Sequence, residues 1–228
     1  MKKKRLDEIL IERGIVKDKN EAFIIVTEGN IFIGGQKAVS PAQLCQSDVE
    51  LRVKERSPYV SRGGLKLAAA FDNFSISVEG KICADIGAAT GGFTDVMLQK
   101  GAVKVYAIDT GTGKLALKLR EDPRVVVMEG TNILYLGSLP ELIEFAGIDV
   151  SFTSLRLVLP ALKKFLVLSG EVIALFKPQY EVADFNLHHG IVEDESVRKA
   201  ALDEFTAWAA SDDWHISGSI ESPIHGAK

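Results

Sequence analysis

Apolar and polar positions along this 228-residue chain repeat with two different periods, and where the period changes the elements change with it. Near the amino end, Leu6, Ile9 and Leu10 mark one helical stripe that stops at Gly14. Phe23, Ile24 and Val26 mark a second helix over about 20–28, stopped by Gly29. Ile31 and Ile33 then alternate with Asn30 and Phe32, Gly34 and Gly35 supply a turn, and 37–40 returns as a hairpin. Val49, Leu51 and Val53, interleaved with Glu50, Arg52 and Lys54, predict a third strand. Ser57 and Pro58 mark a join, and SRGGLKLAAAF behind them opens a helix. Strands are expected near 81–86, 104–108, 124–128, 146–149, 171–176 and 214–220, with helices between most of them. This reads as an α/β fold: a doubly wound, mostly parallel sheet over 59–228, preceded by a small α+β domain over 1–58.

Composition adds bounds. A hydrophobic content of 46% is ample for a buried core, yet no apolar run approaches the length of a membrane span. No hydrophobic segment follows the N-terminal lysines as it would in a secretion signal. Cys45 and Cys83 are far apart in apolar settings, so a reduced, cytoplasmic protein is expected. The net charge of −4 excludes a uniformly basic nucleic-acid binder, but it conceals an asymmetry. Residues 1–66 hold thirteen Lys and Arg against nine Asp and Glu, so a basic front precedes an acidic body and points to an anionic partner met by the front.

The segment ADIGAATGGFTDV at 84–96 carries the clearest chemistry. It reads as strand, glycine-rich turn and helix, with Asp85 at the strand end and Asp109 ending the next strand in YAID. Small residues (Gly87, Ala88, Ala89, Gly91 and Gly92, with Thr90 among them) let backbone approach a ligand, and the helix beginning near Phe93 offers free N–H groups. Ala89 stands where a dinucleotide fingerprint wants glycine, and an acid just before the turn suits a cation better than a pyrophosphate. S-adenosylmethionine, with its sulfonium and free amine, fits that description. Asp149 in GIDVSF and Lys177 in ALFKPQYE end later strands, so both emerge at the same sheet edge, and Lys66 lies on the helix leading in. Two lysines converging on an aspartate can hold one lysine neutral, and a neutral lysine beside a hydroxyl is a competent general base.

Two resemblances extend this reading. RLDEIL at 5–10, the helix from 20 and GNIFIGG at 29–35 resemble the RNA-binding module named after ribosomal protein four of the small subunit. Where that family has Ser-Arg opening the second helix, this chain has Lys19 and Asn20; Arg5, Lys17, Lys19 and Arg62 are the candidate RNA contacts. Taken with SRGGLKL, the glycine turn, EGTN at 129–132, IDVSF and FKPQYE, essentially the whole chain is similar to the TlyA family. Members of that family join the RNA-binding module to an FtsJ-like, Rossmann-like methyltransferase domain, and many carry the name haemolysin. The resemblance implies 2′-O-methylation of a cytidine ribose in ribosomal RNA, with S-adenosylmethionine as cofactor and ribosomal RNA or ribosomal subunits as partners. It places Lys66, Asp149 and Lys177 in the first three positions of a catalytic Lys-Asp-Lys-Glu group. It also places Asp85, Gly87, Gly91 and Asp109 at the cofactor, with Thr131 and Asn132 near its adenine.

One position departs from the family pattern. The fourth catalytic residue belongs to a GNxEF-like strand after the SPI segment, whereas this chain reads ESPIHGAK, and Glu221 precedes Ser-Pro. A chain trimmed before its last sheet strand is the expectation, with an RNA-binding protein whose methyltransferase fold is idle as the alternative. A membrane-active haemolysin lacks any supporting amphipathic helix or span. His188 and His189 are adjacent on a loop over 182–191 and no Cys or acid cluster joins them, so no metal is expected. The basic run at 2–5 reads equally as phosphate contacts or a solvated end, and Trp208 and Trp214 as packing residues.

Overall fold

The computed structural model describes residues 3–27, 29–54, 57–183, 188 and 190–224. Lys2, Glu28, His189, residues 184–187 of the expected loop and the terminal 225–228 lie outside the described residues. The chain divides into two compact units, Met1–Pro58 and Tyr59–Lys228.

In the first unit, β1 (Lys3–Arg5) leads into α1 (Leu6–Glu12) and α2 (Lys19–Thr27), followed by β2 (Ile31–Ile33), β3 (Gln36–Lys37), β4 (Leu44–Gln46) and β5 (Leu51–Val53). Asp18 caps α2: its Oδ1 accepts the Glu21 N–H at 2.8 Å, while Glu21 reaches back to the Lys17 N–H, also at 2.8 Å. The helix buries Ala22, Ile25 and Val26, leaving Phe23 and Ile24 exposed. The stripe read from Phe23 and Ile24 was therefore one residue out of phase, because the small Ala22 carries the packing register. The antiparallel sheet β3-β2-β5 matches the expected hairpin and third strand. The β1–β4 pair was not expected, since neither three-residue segment is long enough to show alternation.

The second unit is built on five parallel strands: β6 (Ile82–Ile86), β7 (Lys104–Asp109), β8 (Val125–Glu129), β9 (Ile143–Ile148) and β10 (Leu166–Ala174). Their spatial order is β8-β7-β6-β9-β10. The period of two along each strand sends alternate residues to opposite faces. Cys83, Val105, Ala107 and Phe145 pack with Leu67 and Phe71 of α3 (Gly63–Phe74), Val96 and Met97 of α4 (Gly92–Gln99) and Leu119 of α5 (Leu117–Arg120). On the other face Ala84, Ile86, Tyr106, Ile108, Ala146 and Ile148 meet Leu155, Val158, Leu159 and Leu162 of α6 (Leu155–Leu162) and Phe205 of α7 (Glu195–Ser211). Helices thus cover both faces, as the expected doubly wound sheet requires. Cys45 and Cys83 are both buried and free, and burial pushes the Cys83 thiol up to about 12.

The strand expected at 214–220 does not form: these residues make no ladder, and Ile216 and Ile220 are exposed. Alternation in HISGSI imitates a strand, but without a buried face the pattern has nothing to pack. Trp214 instead lies under the Lys163 ammonium, 5.4 Å from its ring centre, and Trp208 stacks near Phe205 at 5.6 Å, both as packing residues. Strands β9 and β10 begin earlier than expected, the latter with a register shift between Leu166 and Glu171. Phe145 is fully buried on β9, an interior strand of the sheet, its ring centre 5.3 Å from that of Phe71. Phe145→Ala should cost about 3–5 kcal/mol, read as a lowered midpoint in denaturant unfolding.

Candidate active site

The chain lays down β6, β7 and β8 outward in one direction and then returns to the other side of β6 for β9, so the strand order reverses between β6 and β9. At such a switch point the loops leaving the carboxyl ends part in opposite directions and open a crevice. Backbone bonds hold the loops at that edge: the Asp149 N–H donates to Ile86 O at 2.9 Å, and the Gly87 and Ala88 N–H groups share Ile108 O at 2.8 and 3.1 Å. Gly87 (φ +87°) has no room for a side chain, because a Cβ would lie 2.7 Å from the Asp149 carbonyl oxygen. A Cβ on Gly147 would meet the Phe93 ring at 2.7 Å, and one on Gly92 would meet Ser61 Oγ at 2.5 Å. The first turns of α3 and α4 therefore touch, which brings Lys66 over the glycine turn.

A cavity of about 250 Å³ results. Lys66, Asp85, Gly87, Ala88, Thr90, Gly92, Phe93, Asp149 and Lys177 line it, together with Ser61, Gly63, Ala89 and Ser151. Asp149 stands between the two lysines, its Oδ2 2.8 Å from Lys66 Nζ and its Oδ1 2.7 Å from Lys177 Nζ. Lys177 Nζ also donates to Val150 O at 2.6 Å and Ser151 Oγ at 3.2 Å. Burial by itself pushes the Asp149 carboxyl up, but the hydrogen bonds and charges of Lys177 and Lys66 outweigh it and hold the group below its ordinary value. Asp85 is buried beneath the turn, its Oδ2 accepting from Thr94 N–H at 2.8 Å and Thr94 Oγ1 at 2.7 Å. Burial pushes Asp85 up to about 7 against the pull of those two bonds, and the negative charges of Asp149 and Asp109 add to the rise.

Four expected cofactor residues do not line the cavity. Gly91 (φ +93°) precedes α4 and faces Leu119, which a Cβ would meet at 2.3 Å. Asp109 spans two loops, accepting the Ala89 N–H at 2.8 Å on one oxygen and the Gly111 N–H at 2.6 Å on the other. It thereby holds Ala89 at φ +46°, a left-handed conformation that costs a non-glycine residue about 1–2 kcal/mol. Thr131 donates its N–H to Asp109 O at 2.9 Å, and Asn132 Oδ1 caps the next turn through the Leu134 N–H at 3.0 Å. Among the candidate RNA contacts, Arg5 is engaged by the buried Asp7 through two bonds of 3.0 and 2.6 Å, while Lys17 and Lys19 are exposed. In the second unit Arg62 is exposed at the start of α3.

Sequence reasoning passed over Asp95 and Glu129. Asp95 is buried in α4, accepting the Val60 N–H at 2.7 Å and facing Lys118 Nζ at 3.0 Å, so it pins the segment that precedes α3. An acid inside the otherwise apolar helix GFTDVML was the available signal. Glu129 takes the N–H groups of Gly113, Lys114 and Leu115 at 2.8, 2.9 and 3.1 Å and the Arg120 guanidinium at 2.5 Å. Among the described residues no group of three or more His, Cys, Asp or Glu side chains is placed to hold a metal, and no helix is long and apolar enough to cross a membrane.

Residues 59–228, the whole of the second unit, match the family model described as FtsJ-like methyltransferase. The chain belongs to the FtsJ-like methyltransferase family. A relative in that family, the 16S/23S rRNA (cytidine-2'-O)-methyltransferase TlyA of Mycobacterium tuberculosis, is 39% identical over 230 residues, which span 97% of this chain and 85% of that protein. YqxC of Bacillus subtilis is 43% identical over 233 residues, spanning 99% of this chain and 82% of its own length. A solved structure from Streptococcus thermophilus superposes with a TM-score of 0.76 at 44% identity, covering 99% of this chain and 84% of that one.

Hydrogen bonds from Arg120 and the three N–H groups lower the Glu129 carboxyl from an ordinary 4.5 to about 2. A depressed carboxyl stabilises the fold above its unfolded value and loses that contribution as pH falls through the folded one. The melting-temperature gap between the native protein and Glu129→Gln should therefore shrink as pH falls from 4.5 to about 2. A gap that stays constant over that window would remove Glu129 from this role.

Proposed function

We propose that this chain transfers a methyl group from S-adenosylmethionine to the ribose 2′-hydroxyl of a cytidine in ribosomal RNA. The observation that carries the reading is the convergence of Lys66 and Lys177 on the two oxygens of Asp149, at 2.8 and 2.7 Å, in the cavity that also holds the glycine turn. Family membership supports the reaction class, and the cytidine-2′-O-methyltransferase activity for which the Mycobacterium relative is named supports the substrate. The residues present fit a cationic donor. Asp85 is the buried acid beneath the turn, the first N–H groups of α4 offer hydrogen bonds, and Gly87 and Gly92 keep side chains out of the way. When bound, the cofactor supplies a methyl group already activated on a sulfonium.

What remains for the protein is alignment and a proton. The 2′-hydroxyl is a very weak acid, so its proton must have somewhere to go as the oxygen becomes a nucleophile. Lys177 Nζ, at rest the ammonium paired with Asp149, is the acceptor in this proposal once it has released one proton to solvent. Its 3.2 Å bond to Ser151 Oγ is the longest of its three, and that is the position a substrate hydroxyl would take. Asp149 steadies the lysine that becomes charged, and Lys66 offsets the carboxylate's own charge. The first unit, with Lys17 and Lys19 exposed, meets the RNA; Arg5, held by Asp7, contributes less than its sequence position promised.

Labelled S-adenosylmethionine incubated with the protein and with separate small and large ribosomal subunits should leave a 2′-O-methyl group that can be mapped. Lys177→Ala should slow that transfer by about 10²–10⁴-fold with donor affinity retained. Donor binding without any transfer by the native chain would instead identify an RNA-binding protein with an idle fold. A carboxyl at about 7 also predicts a pH profile, because only its charged form attracts a cation. Affinity for S-adenosylmethionine should rise over about pH 6 to 8, and Asp85→Asn should flatten the slope. An equal slope in that variant would assign the dependence to another group.

A further inference from the structure

The first unit carries a recess of its own, about 170 Å³, lined by Phe32, Gly34, Gly35, Glu50 and Arg52. Its construction follows from strand alternation. Ile31 and Ile33 on β2 pack against the core, so Phe32 between them is turned to the opposite face. Directly across from it are Arg52 on β5 and Lys37 on β3. The Arg52 guanidinium covers the ring, 4.9 Å from its centre, and has no ion-pair or hydrogen-bond partner among the described residues. The Glu50 side chain also has none there and is exposed. Gly34 and Gly35, at φ +53° and +84°, turn the hairpin beside them and leave open space where side chains would stand.

A flat stacking surface, an unused fork of donors and an unused carboxylate acceptor therefore converge on one small recess. A bare phosphate would be repelled by Glu50, and a basic peptide by Arg52 and Lys37. A planar heterocycle with its own amine satisfies all three groups. Its face stacks on the Phe32–Arg52 pair, its amine donates to Glu50, and its neighbouring phosphate meets Arg52 or Lys37. We propose that this recess captures an unpaired, amine-bearing base of the RNA, such as cytosine or adenine, in preference to uracil, outside the methyl-transfer cavity. The proposal rests on the RNA reading given above, and it assigns the first unit a base contact in addition to its charge.

The test uses the full chain and short single-stranded RNAs that differ only in one central base (C, A or U) or an abasic position, with fluorescence anisotropy at fixed salt. The C and A strands should bind several-fold tighter than the U and abasic strands. Phe32→Leu, which keeps apolar bulk but removes the ring, should lower affinity for C and A about tenfold. Glu50→Gln should abolish the preference for C over U. Calorimetric binding of S-adenosylmethionine, equal in all variants, checks that the second unit is intact, and circular dichroism melting checks the first. Equal affinity for all four strands, no binding at low salt, or both variants behaving as the native chain would overturn the proposal. So would weakened binding of whole subunits without any change on the oligonucleotides, which would indicate a protein partner. Each of these results is independent of methyl transfer to subunits, so the recess can fail while the activity stands, and the reverse.

Discussion

A carboxylate lying between two ammonium groups at the mouth of a parallel sheet has to come from three separate stretches of chain, and here it ties them together. Asp149 follows β9, Lys177 follows β10 and Lys66 lies in the first half of α3, so one side chain fixes the relative placement of two strand ends and a helix. The balance is tight because all three side chains keep less than a fifth of their surface in water. Without the carboxylate, two like charges would face each other in a partly dry cavity. Without one of the lysines, the carboxylate would lose part of what outweighs its own burial.

That arrangement depends on what is missing from the neighbouring positions. Gly87, Gly92 and Gly147 each stand where a Cβ would run into backbone or a ring, so the strand ends and the first turns of two helices close to contact distance. Acids then fix the loops from behind: the buried Asp109 under Ala89 and Gly111, the partly exposed Glu129 under 113–115, and the buried Asp95 behind Val60. The glycine turn in the cavity wall and the segment leading into α3 are therefore supported by carboxylates, Asp109 and Asp95, that do not line the cavity themselves.

Much of this was legible in the sequence, for identifiable reasons. An acid or lysine directly after an apolar strand marks the carboxyl edge of the sheet, and that rule placed Asp85, Asp149 and Lys177 at one cavity. The same rule gives no direction within the edge, so it could not separate Asp85, which lines the cavity, from Asp109, which spends both oxygens on backbone. Thr131 and Asn132 show the same limit, since their polar groups serve local turns. Periodicity failed where an element was short or its phase rested on alanine, as in β1, β4 and α2. It also failed at 214–220, where a two-residue repeat exists without a buried face to use it. The Phe32–Arg52 pair needed strand register, which pairing across three strands supplies and a linear reading does not.

The two buried cysteines have a practical consequence of a different kind. With Cys83 pushed up to about 12 and both thiols shielded from solvent, the native chain offers alkylating reagents almost nothing to react with. A cysteine introduced at an exposed position becomes the fast-reacting thiol in the molecule, with no need to remove the natural pair. One such handle in each unit would allow spectroscopic rulers to compare the distance between the two units with and without RNA.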